Sequence, residues 1–432
     1  MKKIGNLKKN IGANFIFKGL SVLISFIYTP IFLAYMGDLR YGVWAIITSI
    51  SSWLSLSDAG IGNGLKNKLA EKLAREDYNA SRGLIITSYL ILLRIIGCVF
   101  LVFLGSFLLI DYSKMLNLGV EGENVEIVIV IEVFFICLNL WLSLINSILS
   151  ALQQSAVYQG FSVCGKIMLL IVIELALHYI PASMLLVTIL TGISSTCVNV
   201  MATVYTFIKY PNIFPCRKDY SKAYIKSIAS IGLLIFVNQI CNTILASTDN
   251  ILISKLFHAE LVTTYSLAYK SFNYFVIIQG LIIMPLWPAY TKGKELHEYD
   301  WMKNTLKKVK ILTLFLSVGC VAFVFLFPAF SDVWLKHHLE YDRLMLVIMA
   351  AYNIQYMFIS VYNSIMLGIG KIKGCVMCSV IAAVLNIPLS ILFARSLNLG
   401  LTGIILGTFV SEIFYMFFMP REVDRWFKVQ CR

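Results

Sequence analysis

Long apolar runs alternate with short polar segments along the whole chain. Each run is close to or above the roughly 20 residues that an α-helix needs to cross a bilayer. The twelve runs are 14–36, 41–62, 83–110, 127–149, 159–180, 183–208, 227–248, 261–290, 311–330, 343–367, 374–394 and 401–419. This pattern predicts an all-α integral membrane protein with about 12 transmembrane helices.

Composition supports a membrane protein and excludes an ordinary soluble domain. Hydrophobic residues make up 59% of the 432 residues and charged residues only 14%, whereas about a quarter of the residues in a soluble domain are charged. The ten cysteines lie singly and mostly in apolar runs, so no disulfide framework is predicted. Cys375 and Cys378 form a CxxC inside one such run, where we expect packing rather than metal binding or redox chemistry.

Lys and Arg residues are distributed unevenly between the two groups of connecting segments. Twelve spans place both termini on one side, and the segments on that side carry 26 Lys and Arg residues. The opposite side carries six, which are Arg40, Lys114, Lys255, Lys336, Arg343 and Arg395. Because basic residues concentrate in cytoplasmic loops, both termini are predicted to be cytoplasmic. The net charge of +13 therefore reflects topology and not nucleic-acid binding.

Charged residues inside the apolar runs are the candidates for function. A Lys or Arg near the centre of a membrane helix costs about 2.5–3.5 kcal/mol, so it normally faces a protein interior or a wet cavity. The four basic candidates for substrate binding are Lys18, Arg94, Lys166 and Lys270. The three acidic candidates for ion coupling or charge balance are Asp58, Glu174 and Glu412.

Depth and helix direction refine these roles. Arg94, Lys270 and Glu412 fall near the midplane of their spans, whereas Lys18 is shallow enough to reach either headgroups or a cavity. Three of the cations lie on spans one, three and five, which run in the same direction. If these spans surround a central cavity, the cations converge there and attract an anion such as a phosphate or diphosphate group.

Two further pairs of charged residues lie within the spans or near their ends. Lys166 and Glu174 share span five, about 80° apart around the helix, and are placed to line one cavity at two depths. Glu132 and Asp249 lie near the outer interface, where we expect solvated carboxylates.

Short internal matches predict two six-helix lobes around a central cavity. Asn146-Ser147-Ile148 recurs as Asn363-Ser364-Ile365, and Gly37-Asp38-Leu39 resembles Ala259-Glu260-Leu261. Both offsets are close to half of the chain, as expected for a duplication with the ligand site between the halves. The predicted parts are an N-terminal lobe (1–210), a basic cytoplasmic linker (211–226), a C-terminal lobe (227–419) and a cytoplasmic tail (420–432).

The segment between spans two and three is the most distinctive. It contains Ser57-Asp58-Ala59-Gly60, Gly64-Leu65 and Lys68-Leu69-Ala70-Glu71, and its glycines allow the helix end to bend or to pack closely against a neighbour. With Tyr41-Gly42-Val43-Trp44 and Thr248-Asp249-Asn250, it resembles the Wzx-type O-antigen and polysaccharide-unit flippases of the multidrug/oligosaccharidyl-lipid/polysaccharide exporter superfamily.

The resemblance implies a non-enzymatic transporter in the bacterial inner membrane. Its expected cargo is an undecaprenyl-diphosphate-linked oligosaccharide that moves from the cytoplasmic to the periplasmic leaflet through a cationic cavity by alternating access. H⁺ or Na⁺ is the expected coupling ion, and no cofactor is expected. Membrane lipids, a polysaccharide polymerase and a chain-length regulator are the expected partners.

Two other classes of function stay open at this point. A cation-coupled drug exporter of the same superfamily would also have twelve spans, although cationic drugs favour an acidic cavity. A membrane-embedded glycan polymerase or glycosyltransferase would need catalytic residues outside the membrane. The densest titratable group there lies on 331–342, where Asp332, His337, His338, Glu340 and Asp342 are expected to form a solvated loop.

Overall fold

A computed structural model of the protein describes residues 2–58, 60–107, 109–115, 120, 122–284, 286–335 and 340–430. All regular elements in these ranges are helices, and the chain divides into two compact units, Met1–Gln239 and Ile240–Arg432. The division falls inside one helix, α9. The basic cytoplasmic linker at 211–226 and the other predicted domain bounds stay predictions.

The described residues of the first unit form eight α-helices and the beginning of a ninth. They are α1 (Lys2–Leu54), α2 (Ile61–Ala74), α3 (Tyr78–Ser106), α4 (Tyr112–Met115), α5 (Val125–Leu142), α6 (Leu144–Ala151), α7 (Ser155–Tyr179), α8 (Met184–Lys209) and α9 (Ala223–Leu256).

The second unit contains the end of α9 and seven further helices. They are α10 (Ala259–Ile283), α11 (Leu286–Glu295), α12 (Tyr299–Leu335), α13 (Arg343–Gly368), α14 (Ile372–Ile391), α15 (Gly400–Ser411) and α16 (Ile413–Gln430). A π-helical turn, Leu392–Ser396, follows α14.

The length and hydropathy of the helices confirm the prediction of about 12 spans. Ten segments of the described chain are long and apolar enough to cross a membrane. The first of them, Gly12–Asp58, has 47 residues and covers two of the predicted runs. In addition, α9 covers the predicted run 227–248.

Gly37 divides α1 into two helical segments, one for each of the first two predicted runs. Its φ of 73° and ψ of 170° break α1 at the junction between the first two predicted runs. Positive φ is readily available to glycine, which has no Cβ. The second run ends earlier than predicted: α1 stops at Leu54, and the 3₁₀ turn Ser55–Asp58 leads to α2.

Polar residues begin several helices at the positions where apolar runs start. The side chains of Asp77, Asn124, Ser183 and Asp342 precede α3, α5, α8 and α13, and each accepts a hydrogen bond from a backbone N–H in the first turn. Such caps satisfy amide groups that have no partner within the helix. These caps define where the helices begin. The periodicity of the apolar residues alone does not define the helix ends.

The two cysteines of the CxxC motif pack in the core of the second unit. Cys375 and Cys378 are free thiols, 4% and 1% exposed, on the buried side of α14. They lie in one apolar cluster with residues of α12, α13 and α16. The packing role predicted for them is confirmed.

Candidate functional site

A cavity of about 410 Å³ lies within the first unit, between α1, α5, α7 and α8. We refer to it as the first-unit cavity. Its polar and aromatic lining residues are Ser25, Tyr28, Trp44, Thr48, Glu132, Tyr158, Ser162, Lys166, Thr191, Ser194, Ser195 and Asn199. Most of them lie near the middle of long apolar helices, so the cavity is placed at membrane depth.

Lys166 is the predicted site residue that lines this cavity. Its ammonium group donates hydrogen bonds to the hydroxyls of Ser21, at 2.6 Å, and Ser25, at 3.3 Å, both on α1. Phe17 contacts α7 one and a half turns earlier, at Gly160, so α1 and α7 run parallel, as predicted for spans one and five. Lys18 lies next to this contact on α1 and is half-buried.

Glu132 supplies an acidic group to the same cavity. It is half-buried on α5, and the hydroxyl of Ser51 donates a 3.2 Å hydrogen bond to its Oε1. The expectation of a solvated carboxylate at the outer interface is therefore wrong for Glu132. Tertiary packing decides this, because α1 and α5 place the side chain toward the interior of the unit. Glu132 and Lys166 line one cavity, and neither forms an ion pair with a described residue.

A row of small polar residues on α8 escaped the sequence analysis. Thr191, Ser194, Ser195 and Asn199 recur at helical spacing on an apolar helix, and all four line the first-unit cavity. The signal was present in the sequence as this spacing. It was missed because only charged residues were considered as candidates.

Two predicted site residues of the first unit lie outside the cavity. Glu174 is exposed near the end of α7, so the hypothesis that Lys166 and Glu174 line one cavity is wrong. The angle between them on α7 turns the carboxylate to a different side. Arg94 is exposed on α3, on the same face as Leu101 and Val102, and is not among the residues that line the cavity.

Asp58 is placed at the turn that leads into α2. Its Oδ1 accepts a 3.0 Å hydrogen bond from the backbone N–H of Gly60, which satisfies a group at the start of the helix. On the same helix, Gly64 packs against the backbone carbonyl of Ile228, so closely that a Cβ atom would collide with it. The glycine-rich segment thus packs against a neighbour, as its pattern indicated.

The second unit holds two buried carboxylates. Asp249 on α9 is 5% exposed, and Glu412, at the junction of α15 and α16, is 2% exposed. The expectation that Asp249 is solvated is wrong, because α9 extends to Leu256 and buries this position against α10 and α15. The midplane position predicted for Glu412 agrees with its burial.

Hydrogen bonds connect Asp249 with three other helices. The hydroxyl of Tyr265 on α10 donates to its Oδ2, and the hydroxyl of Thr408 on α15 donates to its Oδ1 at 3.3 Å. Thr408 in turn accepts a 2.9 Å hydrogen bond from the amide of Asn386 on α14. Because Thr408 lies one turn before Glu412, both carboxylates approach the same side of α15, and their charges interact.

Two polar atoms around this pair have no partner among the described residues. They are Oε2 of Glu412 and Oδ1 of Asn386. Asp249 and Glu412 also form no ion pair with a described basic residue. Two close buried carboxylates without a basic partner can hold a proton or a small cation, since oxygen ligands suit both. We refer to Asp249, Glu412, Asn386 and Thr408 as the second-unit acid site.

The remaining candidates are Lys270 and the predicted solvated loop. Lys270 is half-buried on α10, one turn beyond Ser266, whose hydroxyl bonds to Asn250. In the predicted solvated loop, Asp342 caps α13 and accepts a 2.6 Å hydrogen bond from Thr402. His337 and His338 lie outside the described residues. No group of three or more His, Cys, Asp or Glu in the described part of the chain is arranged to hold a metal ion.

Known proteins resemble the chain in sequence. A sequence model of the family described as "Polysaccharide biosynthesis protein" matches residues 7–294. A protein of Yersinia pseudotuberculosis named for O-antigen export is 21% identical, with 91% of this chain and 90% of that protein covered. A Salmonella typhi protein named as an O-antigen transporter is 22% identical over 59% of this chain and 58% of its own length.

Solved structures of related transporters share the fold. An inward-facing multidrug resistance MATE family transporter of the MOP superfamily matches with a TM-score of 0.78 and 12% identity, over 95% of both chains. A MOP superfamily transporter from Pyrococcus furiosus, described as having a binding pocket of reverse polarity, matches with a TM-score of 0.71 and 13% identity over 99% of this chain and 97% of that one. At this identity the likeness shows the fold alone.

Proposed function

The chain belongs to the polysaccharide biosynthesis protein family, as a Wzx-type member of the multidrug/oligosaccharidyl-lipid/polysaccharide exporter superfamily, and on that premise we propose its cargo, direction and energy source. It is a multi-pass membrane protein that functions in the transport of polysaccharide units. We propose that it flips undecaprenyl-diphosphate-linked oligosaccharide from the cytoplasmic to the periplasmic leaflet of the bacterial inner membrane. The mechanism is alternating access, coupled to H⁺ or Na⁺, with both termini in the cytoplasm.

The separation of charge between the two units carries this proposal. Three of the four basic candidates, Lys18, Arg94 and Lys166, lie in the first unit. The two fully buried carboxylates of the described chain, Asp249 and Glu412, lie in the second. An anionic cargo needs cations and a coupling cation needs carboxylates, so the distribution supports two distinct binding functions.

Arg94 is the first candidate for the diphosphate. Its guanidinium group is exposed on α3, so an external anion can reach it. Arginine matches phosphate oxygens with paired N–H groups and keeps its charge in an apolar environment. Lys270 and Lys18 are further candidates for the same anion, and both are half-buried near or inside a span.

The second-unit acid site is the candidate for ion coupling. Two neighbouring carboxylates in an apolar interior repel each other unless a proton or cation neutralises one charge. Binding of that cation is therefore linked to the packing of α9, α14 and α15, which carry Asp249, Asn386 and Thr408. Asp58 is hydrogen-bonded within a local turn, and Glu174 is exposed. Both remain candidates for balancing charge.

Deleting the gene in its native bacterium tests the function directly. We expect lipid-linked glycan units to accumulate on the cytoplasmic side of the inner membrane and surface polysaccharide to be lost. Accumulation of single units on the periplasmic side would instead indicate a polymerase. An unchanged glycan profile with altered drug sensitivity would support a drug exporter.

Arg94→Ala in the complementing gene tests the diphosphate role. We expect this variant to insert normally and to leave units on the cytoplasmic side, because the anion loses its cationic partner in an apolar environment. Arg75→Ala is the matched control, since Arg75 is exposed on α2 and forms only a surface ion pair with Glu71. Normal flipping by Arg94→Ala would remove Arg94 from the mechanism.

A further inference from the structure

The first-unit cavity has the size of a site for one or two sugar rings. Its volume of about 410 Å³ is near the lower end of the roughly 300–1,000 Å³ range of small-molecule sites. It is lined by four helices of a single unit, at the depth of the middle of α7 and α8, and is partly open. A compact polar group that crosses the bilayer needs a polar cavity at this depth, because lipid offers it no hydrogen bonds.

The charged walls of the cavity suit a polyol better than a diphosphate. The ammonium group of Lys166 has three protons, and two of them bind Ser21 and Ser25, so one remains for a ligand. Glu132 contributes a carboxylate whose Oε1 is bound by Ser51, while Oε2 accepts no hydrogen bond from a described group.

The same cavity therefore offers a cationic donor and an anionic acceptor. A diphosphate only accepts hydrogen bonds, and its negative charge would be repelled by the carboxylate of Glu132. Each sugar hydroxyl both donates and accepts, and the ring is neutral, so it can bind Lys166 and Glu132 together. The composition of the lining thus favours a sugar over a phosphate group.

Hydroxyl groups and aromatic rings complete the lining. The hydroxyls of Ser162 and Ser195 line the cavity and have no hydrogen-bond partner among the residues that the structure describes. Trp44 lies beside them and is held by ring contacts with Phe32 at 5.4 Å and Tyr41 at 5.9 Å. An aromatic face is a natural partner for the C–H face of a sugar ring, while the hydroxyls at the ring edge need polar partners.

A second aromatic ring is fixed by a buried amide pair. The hydroxyl of Tyr158 donates a 3.0 Å hydrogen bond to Asn199, whose own amide donates a 2.9 Å hydrogen bond to Asn139. These bonds hold the ring of Tyr158 at the cavity wall before any ligand arrives. Preorganised contacts reduce the entropy that binding must overcome.

We propose that the first-unit cavity is a sugar subsite, which binds one ring of the transported glycan between Lys166, Glu132, Trp44 and Tyr158. This inference rests on the proposed function, because it takes the glycan as the cargo. It assigns Lys166 to the sugar and leaves the diphosphate to cations elsewhere in the chain. Replacing the sugar that enters the cavity should then affect transport, even when the lipid diphosphate is unchanged.

A cavity-filling variant with a matched control tests the subsite in transport. Ser195→Phe places a ring in the cavity, whereas Cys197→Phe places one on the opposite, exposed face of the same helix. Both proteins are reconstituted with the native lipid-linked unit and with undecaprenyl diphosphate that carries no sugar. We expect Ser195→Phe to flip the native unit about tenfold more slowly than Cys197→Phe, since about 1.4 kcal/mol of lost binding corresponds to that factor.

The experiment distinguishes failure of the proposed function from failure of the sugar subsite. If the wild-type protein moves no lipid-linked unit, the proposed function is wrong. If the wild type moves the unit and Ser195→Phe moves it equally fast, the sugar subsite is wrong. If the variant slows the sugar-free lipid as strongly as the native unit, the cavity serves the lipid diphosphate and the subsite is again wrong.

A binding measurement with an isosteric variant covers the case in which Ser195→Phe does not fold. The probes are the oligosaccharide released from its carrier and inorganic pyrophosphate, titrated into purified protein. Glu132→Gln should weaken oligosaccharide binding about tenfold through loss of a charged hydrogen bond, whereas Glu126→Gln, on the exposed start of α5, should not. Oligosaccharide binding that is insensitive to Glu132→Gln, or displaced by pyrophosphate, would overturn the proposal.

Discussion

The second-unit acid site predicts that transport loses its response to an ion gradient when one carboxylate is neutralised. Glu412→Gln is the cleaner perturbation, because Oε2 of Glu412 accepts no hydrogen bond from a described residue. The replacement therefore removes a charge while the shape stays nearly the same. Asp249→Asn removes a charge as well, but places an amide group against the hydroxyls of Tyr265 and Thr408, which both donate to Asp249.

The size of the effect follows from the number of charges that the site can bind. Two interacting carboxylates, with no described basic partner, accept one cation most favourably, since the first cation relieves their repulsion. One elementary charge that crosses a potential of 100 mV contributes about 2.3 kcal/mol. That energy corresponds to about a 40-fold change in the ratio of cargo between the two leaflets. Glu412→Gln should lose this factor and retain only downhill flipping.

The assay uses proteoliposomes in which a proton gradient, a sodium gradient or a membrane potential is imposed separately. Labelled lipid-linked unit on each leaflet is measured after equilibration. Glu298→Gln is the matched control, because Glu298 is exposed in the loop immediately before α12, and this variant should keep the full response. If Glu412→Gln responds to every gradient as strongly as the wild type does, Glu412 does not couple transport to an ion.

Two further predictions concern stability. Gly64→Ala should lower the melting temperature in detergent, because its Cβ would collide with the carbonyl of Ile228 and overpacking costs about 1–3 kcal/mol; Gly97→Ala, with open space around the added atom, should not. The backbone N–H of Ala80, with help from a nearby lysine, holds the pKa of Asp77 below its usual value. The cap is therefore intact at neutral pH and weakens as pH falls through that lowered pKa. Asp77→Asn, which caps without titrating, should melt like the wild type at neutral pH and show a smaller loss on acidification.

Hydropathy predicted the spans well and their ends poorly. The run 311–330 indicated one span, but α12 extends from Tyr299 to Leu335, because a charged amphipathic helix continues beyond the membrane without an apolar signal. The runs 14–36 and 41–62 indicated two separate spans, and non-helical backbone at Gly37 divides α1 between them. A local backbone angle at one glycine decides this, and hydropathy averaged over 20 residues does not detect it.

The candidate sites were harder to predict because they depend on which helices meet. Asp249 lies near the end of its apolar run and looked solvated, yet Tyr265 and Thr408 reach it from two other helices. Glu132 was misinterpreted for the same reason. Lys166 was placed correctly inside a span, but the carboxylate that lines the cavity with it is that of Glu132 and not that of Glu174, which shares its helix. Spacing along the sequence shows which residues share a face of one helix. It does not show which residues of different helices meet.

The two sites also suggest why a flippase of this kind separates its charges. A diphosphate and a coupling cation attract each other, so a single site that held both would be most stable when fully loaded and slow to release either. With Asp249 and Glu412 in the second unit and Lys18, Arg94 and Lys166 in the first, the proposed coupling cation and the proposed diphosphate would bind to side chains of different units. Binding of each ligand can then bias the conformation that the other prefers, which is the requirement for coupling between sites. If this is correct, neutralising Glu412 should change the energetics of transport while the affinity for the released oligosaccharide stays the same.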